Sequence, residues 1–113
     1  MIWSWIESFF KGLNVVGGAR SGAWDRLRDT FLHGKSCQAC GGDNALEAHH
    51  ILPFHARPEL ELDPCNLIAL CRRCHFVFGH LGCWQCHNPE VARDAAEYLS
   101  RVEQYRGDHH GKP

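Results

Sequence analysis

What this sequence lacks excludes several classes of protein. It has no excess of charge of one sign: 12 Lys and Arg face 13 Asp and Glu, a formal net charge of −1 with histidines neutral. No global basic field therefore draws it to nucleic acid. It has no apolar run long enough to span a membrane. The apolar start, MIWSWIESFFKGLNVVGGA, carries Glu7 and Lys11 and lacks the basic lead-in of a secretory signal. No low-complexity block or structural repeat occurs; the CxxCH of residues 71–75 recurs at 83–87, an offset too short for a repeating unit. Seven cysteines, an odd number, cannot all be paired in disulfides. These absences fit a reducing, cytoplasmic protein whose thiols hold metal.

What is present fits one small domain. A chain of 113 residues buries a single modest core, and two domains of half that size would each need metal or disulfide support. Ile2, Ile6, Phe9, Phe10 and Leu13 recur at helical spacing, so residues 1–20 are expected to form an amphipathic helix and a Gly-rich linker. That helix would pack on its own domain or on a twin subunit or protein partner through residues 1–13. A second helix is expected from Ser21 or Gly22 to His33, with Trp24, Leu27, Phe31 and Leu32 inward and Gly34 as a left-handed cap. Residues 45–52 and 65–71 read as strands joined by a long proline-bearing loop, and a short helix follows from Arg72 to about Leu81, ending near Gly79. Asn88, Pro89 and Glu90 open a last helix with Val91, Ala95, Tyr98, Leu99 and Val102 inward and Gly107 at its end. Residues 108–113 would be a disordered tail.

Cys71-x2-Cys74-His75 has the spacing that attaches a c-type haem, and it also has the spacing of half a zinc site. Cys37-x2-Cys40 decides between them. No His follows Cys40, so a haem leaves this matched pair without a role. Two such knuckles instead bring four thiolates to one tetrahedral ion at ~2.3 Å. Four thiolates with no open position suit a structural Zn²⁺ that contributes folding free energy. Cys65, Cys83, Cys86 and His87 remain over, either as free thiols or as part of a second zinc site.

Between the knuckles lie AHHI at 48–51 and CNL at 65–67, and His75 follows the last thiolate directly. The pattern CQACG…LEAHHILPF…DPCNLIALCRRCH, with its lead-in WDRLRDTFL, resembles the zinc-bearing branch of the HNH endonuclease family across about residues 24–81. The resemblance implies an α+β fold, a ββα-metal (His-Me finger) core with a four-Cys zinc knuckle pair and flanking helices, within a domain spanning 21–107. It implies metal-dependent hydrolysis of DNA phosphodiester bonds. His50 is similar to the general base, His49 and His75 to ligands of a catalytic divalent cation, and Asn66 to the residue that orients the base and holds the loop. Stand-alone proteins of this kind are common in phages, which would place this one in a host cytoplasm.

The chemistry of the residues agrees. Phosphodiester hydrolysis near neutral pH needs a base, which an imidazole with an ordinary pKa of ~6.5 supplies. It also needs a cation for the charge on the phosphoryl and leaving oxygens: Mg²⁺, Mn²⁺, Ni²⁺ or Zn²⁺ at a site of two or three imidazoles. Successive strand residues point to opposite faces, so His49 and His50 can divide these tasks. His80, five residues after His75, lies about 500° further round an ideal α-helix and so off its face. It is nonetheless a candidate third ligand or phosphate contact, with a helix break at Gly79 as the way to bring it round. His55, in the long loop, either binds phosphate or has no role, the latter being the expectation. Arg26, Arg28, Arg57, Arg72 and Arg73 are candidate phosphate contacts. The near-zero net charge argues for weak unspecific DNA affinity, and a zinc module that binds nucleic acid or protein without cutting is the alternative function.

Overall fold

The structure is a computed structural model that describes residues 22–109. The expected helix over 2–13, the linker to residue 20, and residues 110–113 of the tail lie outside the described residues. Among those described, no helix is long and apolar enough to cross a membrane.

Helix α1 (Trp24–Leu32) is shorter than the expected 21–33, and Trp24, Leu27, Phe31 and Leu32 are half-buried on its inner side. Gly34, at φ 73°, reverses the chain after it. The first cysteine knuckle leads to strand β1 (Leu46–His50), which pairs antiparallel with β2 (Leu67–Cys71). Ala45 is left-handed at φ 53°, and β1 therefore begins one residue later than expected. The register sets His49 opposite Ile68 and His50 opposite Leu67. The intervening loop contains two 3₁₀ turns, Pro58–Leu60 and Pro64–Asn66, each opened by the fixed φ of a proline.

Helix α2 follows β2 without a loop. Its first turn, Arg72–Cys74, is α-helical, and His75–Gly79 is π-helical. Leu81 (φ 56°) and Gly82 (φ 78°) then turn the chain toward helix α3 (Val91–His109). The helix begins at Val91, not at Pro89 as expected. Asn88 stands in the turn before it, where its side chain accepts from the Glu90 N–H at 3.0 Å and donates to Asp94 in the first turn at 2.9 Å. Helix α3 continues past Gly107, where the sequence pattern put its end. Gly107 is not left-handed, so it is an ordinary weak helix residue and not a cap.

The buried core is small: Cys37, Ala39, Ile68, Leu70, Cys74, Val91 and Ala95, with Cys40, Leu46, Ile51, Cys71 and Phe78 packed against it. Cys37 and Cys74 are members, and Cys40 and Cys71 pack against it. A core in which thiols stand where larger apolar side chains would be depends on what those thiols hold.

Candidate metal centres and catalytic cleft

The four sulfurs of Cys37, Cys40, Cys71 and Cys74 lie within 4.8 Å of one another. The first knuckle is wound tightly: the Cys37 N–H meets the Gly42 carbonyl at 2.6 Å and the Gly41 N–H meets the Cys37 carbonyl at 2.8 Å, with Gly41 at φ 81°. The backbone N–H groups of Ala39 and Cys40 point at the Cys37 sulfur, each at 3.4 Å. Burial opposes ionisation of Cys37, but N–H groups from Cys40, Cys71 and Ala39 outweigh it and lower its pKa to about 7. Burial, reinforced by the neighbouring sulfurs, raises Cys74. Four thiolates this close repel one another, so one ionises at the expense of the rest until a cation compensates them. The donor set fits a structural Zn²⁺.

A second cluster stands beside the first. Candidate nitrogens of His49, His75 and His80 lie within 4.8 Å of one another. The direction of each ring is fixed from behind. His75 donates from Nδ1 to the Glu47 carboxylate at 2.9 Å, and His80 donates from Nδ1 to the Cys86 carbonyl at 2.9 Å. With Nδ1–H engaged, Nε2 of each neutral ring carries a lone pair, and the two Nε2 atoms face each other at 3.2 Å. The Nε2 of His49 is buried without a hydrogen-bond partner among the described residues. Burial, with the neighbouring imidazoles of His75, His80, His87 and His50, lowers the pKa of His49 to about 3 and keeps the ring neutral. Three converging lone pairs with no proton to share are costly on their own. They fit one divalent cation, to which His49, His75 and His80 would each present a lone pair.

The π-turn explains how His80 arrives there. Hydrogen bonding from i to i+5 brings residues five apart over one another, so His75 and His80 share a face that an α-helix would deny them. Gly79 completes the approach. A Cβ at that position would stand 2.9 Å from Cε1 of His49, 3.0 Å from Nδ1 and 3.1 Å from Nε2. Only a glycine lets the helix come so close to the β1 imidazole.

His50 points to the other face of β1, as strand alternation requires. Its Nε2 donates to the Glu61 carbonyl at 2.9 Å, which makes Nδ1 the lone-pair nitrogen, and the ring lies 4.5 Å from Trp24. Asn66 binds the backbone around this loop. Its Oδ1 accepts from the Leu52 N–H at 2.9 Å, and its Nδ2 donates to the carbonyls of Leu52 (3.0 Å) and Leu60 (3.4 Å). It thereby fixes the backbone on both sides of the imidazole, including the residue before Glu61.

Both histidine faces open into one cleft of about 930 Å³ lined by His49, His50, His75 and His80. Of the five candidate arginines Arg28 alone lines it, paired with Asp25 and Asp29 at 3.2 Å each. Arg57 is paired with Glu59, and Arg26, Arg72 and Arg73 are exposed away from the lining. His55 lines the cleft without a metal partner. Cys65, Cys83 and Cys86 form no third metal cluster among the described residues.

Four contributors were not legible as such. Glu47 holds His75; a carboxylate two residues before His49 on a strand shares its face, which was the available signal. Gly79 carried a signal only as a helix breaker. His87 stacks on His49 at 5.7 Å and donates from Nε2 to the Ile51 carbonyl. Trp84 packs on His75 and His80. Nothing in local spacing announces either.

The HNH endonuclease family model matches residues 37–76, a stretch that contains the four cysteines, His49, His50, Asn66 and His75 and stops short of His80. No curated protein and no solved structure matches the chain. The matched stretch takes in the antiparallel pair, the first turn of α2 and the four-cysteine cluster, an arrangement consistent with an HNH-family protein.

Proposed function

We propose that this protein is a metal-dependent endonuclease that hydrolyses phosphodiester bonds of DNA, with His50 as general base. The observation that carries this reading is the convergence of three imidazole nitrogens next to a fourth imidazole of defined tautomer, all on one cleft. His50 would take a proton from the attacking water at Nδ1, while the Glu61 carbonyl stabilises the cationic ring through Nε2–H. Asn66 would keep that carbonyl in place through Leu60 and Leu52. His49, His75 and His80 would hold Mg²⁺, Mn²⁺ or a related divalent ion, which when bound neutralises charge on the phosphoryl and leaving oxygens. Glu47 and the Cys86 carbonyl would keep two of those rings turned inward. Arg28 is placed to meet a phosphate at the cleft wall. The substrate would be DNA and the compartment cytoplasmic.

The experiment is incubation of full-length protein with supercoiled plasmid and Mg²⁺ or Mn²⁺. Conversion to open or linear circles, lost in His50→Ala while the zinc content and circular dichroism persist, is expected. Equal cleavage by both proteins rejects His50 as the base. No cleavage by either favours a binding module.

A further inference from the structure

The turn after α2 carries a residue to which the proposed hydrolysis assigns no chemical step. Trp84 is 55% exposed, yet its indole is held from behind, with ring centroids 4.8 Å from Phe76, 4.9 Å from His80 and 5.5 Å from His75. It stands on the rim of the same cleft as the four histidines. A large apolar ring left half in water at the mouth of a polar cleft forgoes burial that it could have had elsewhere. Such a placement leaves a braced π-surface in the cleft lining beside His75 and His80.

Charge points to what that face meets. Affinity for duplex DNA grows with the number of phosphates neutralised, and the chain as a whole carries −1. Among the described residues Arg28 is the one Lys or Arg in the lining, and Asp25 and Asp29 already engage it. Backbone contacts at the cleft can therefore supply little. Stacking of a nucleobase on an aromatic ring needs no charge and contributes ~1–3 kcal/mol per base. In a continuous duplex both faces of each base are covered by its neighbours, and only an unpaired nucleotide has a face to offer.

We infer that Trp84 is a base-stacking platform beside the cleavage site, and that the protein takes DNA strands that are unpaired there in preference to continuous duplex. This rests on the nuclease reading for its choice of nucleic acid, but its test does not depend on cleavage.

The test is fluorescence anisotropy with labelled single-stranded and duplex oligonucleotides of equal length, titrated with full-length His50→Ala protein so that nothing is cut. Trp84→Ala and Trp84→Phe are compared in that background. Single strands are expected to bind more tightly than duplex. Trp84→Ala should weaken single-strand binding by about 5- to 150-fold and collapse the preference, and Trp84→Phe should restore most of it. Duplex bound as tightly as single strand overturns the inference. So does single-strand affinity in Trp84→Ala within about twofold of its parent, or failure of the phenylalanine to rescue. The wild-type protein given the same oligonucleotides with Mn²⁺ separates the two claims. No cleavage alongside Trp84-dependent single-strand binding sinks the nuclease and leaves the platform standing. Duplex cleavage alongside Trp84-independent binding does the reverse.

Discussion

Gly79→Ala is a change of one methyl group on which much of the metal site turns. The new Cβ would lie 2.9–3.1 Å from three atoms of the His49 ring, against ~3.5–4.0 Å for relaxed contact. The ring has little room to yield. It is 3% exposed, faces His75 at 4.8 Å and His80 at 5.0 Å, and stacks on His87 at 5.7 Å. Overpacking of this sort costs ~1–3 kcal/mol. Alanine in place of glycine within a helix returns up to ~1 kcal/mol. The net loss of stability is thus ~0–3 kcal/mol, too little to unfold a zinc-bound domain. A displacement of half an ångström or more at His49 is nevertheless beyond what a metal constellation tolerates, about 0.5 Å. Nicking and Mn²⁺ affinity should fall by at least about tenfold while zinc content stays constant. A double-mutant cycle checks the cause without any activity. In a His49→Ala background the clash partner is gone, and Gly79→Ala should there be neutral or stabilising in urea denaturation. Equal destabilisation in both backgrounds, or wild-type nicking by Gly79→Ala, would refute the reasoning.

Four further outcomes follow from the same geometry. Glu47→Gln should lower the affinity for the second cation about 10- to 100-fold, read by Mn²⁺ titration of nicking, because it weakens the hold on the inward ring of His75. Asn66→Ala leaves the Leu52 N–H and carbonyl without their partner and should cost ~1–3 kcal/mol in urea denaturation, with a matching loss of activity. Cys71→Ser, or removal of zinc by chelation, should abolish the cooperative thermal transition seen by circular dichroism, since two of the ligands lie in the core and the other two pack against it. In protein carrying zinc at the thiolates alone, His49 adds an acid limb. Its folded pKa of about 3 is below the ordinary 6.5, so between those values the unfolded chain binds the extra proton. Stability should therefore rise with pH through that window, by ~2 kcal/mol from pH 5 to pH 7, and the slope should vanish in His49→Gln.

The sequence was most readable where covalent or coordination geometry sets the spacing. Two CxxC pairs dictate two knuckles, and the knuckles pin the ends of a hairpin that holds His49 and His50 and ends beside His75, while the roles of these histidines came from the resemblance to the HNH family. Strand alternation then separated His49 from His50 as expected. His80 was harder, because its place depends on a π-turn that no residue spacing encodes. On an ideal helix it faces away, and the close approach of Gly79 to β1 is a tertiary fact. The end of α3 was misread at Gly107 for a related reason: a glycine caps only when the chain must turn there, and here it runs on to His109. The arginines illustrate the limit of reading charge along a chain. Five of them suggested a phosphate-binding surface, yet pairing and position leave Arg28 alone at the cleft. Trp84 and His87 reach the site through a turn after α2 whose course depends on Leu81 and Gly82 being left-handed.

The central claim is that a zinc-pinned hairpin and a π-turn gather three imidazoles around a second, hydrolytic cation. Calorimetric titration of Mn²⁺ into zinc-loaded protein tests it most directly. Wild type should show one binding event that His49→Ala and His80→Ala each abolish, with the zinc content and thermal transition unchanged. Mn²⁺ binding that survives both substitutions, or that never occurs in the wild type, would contradict it.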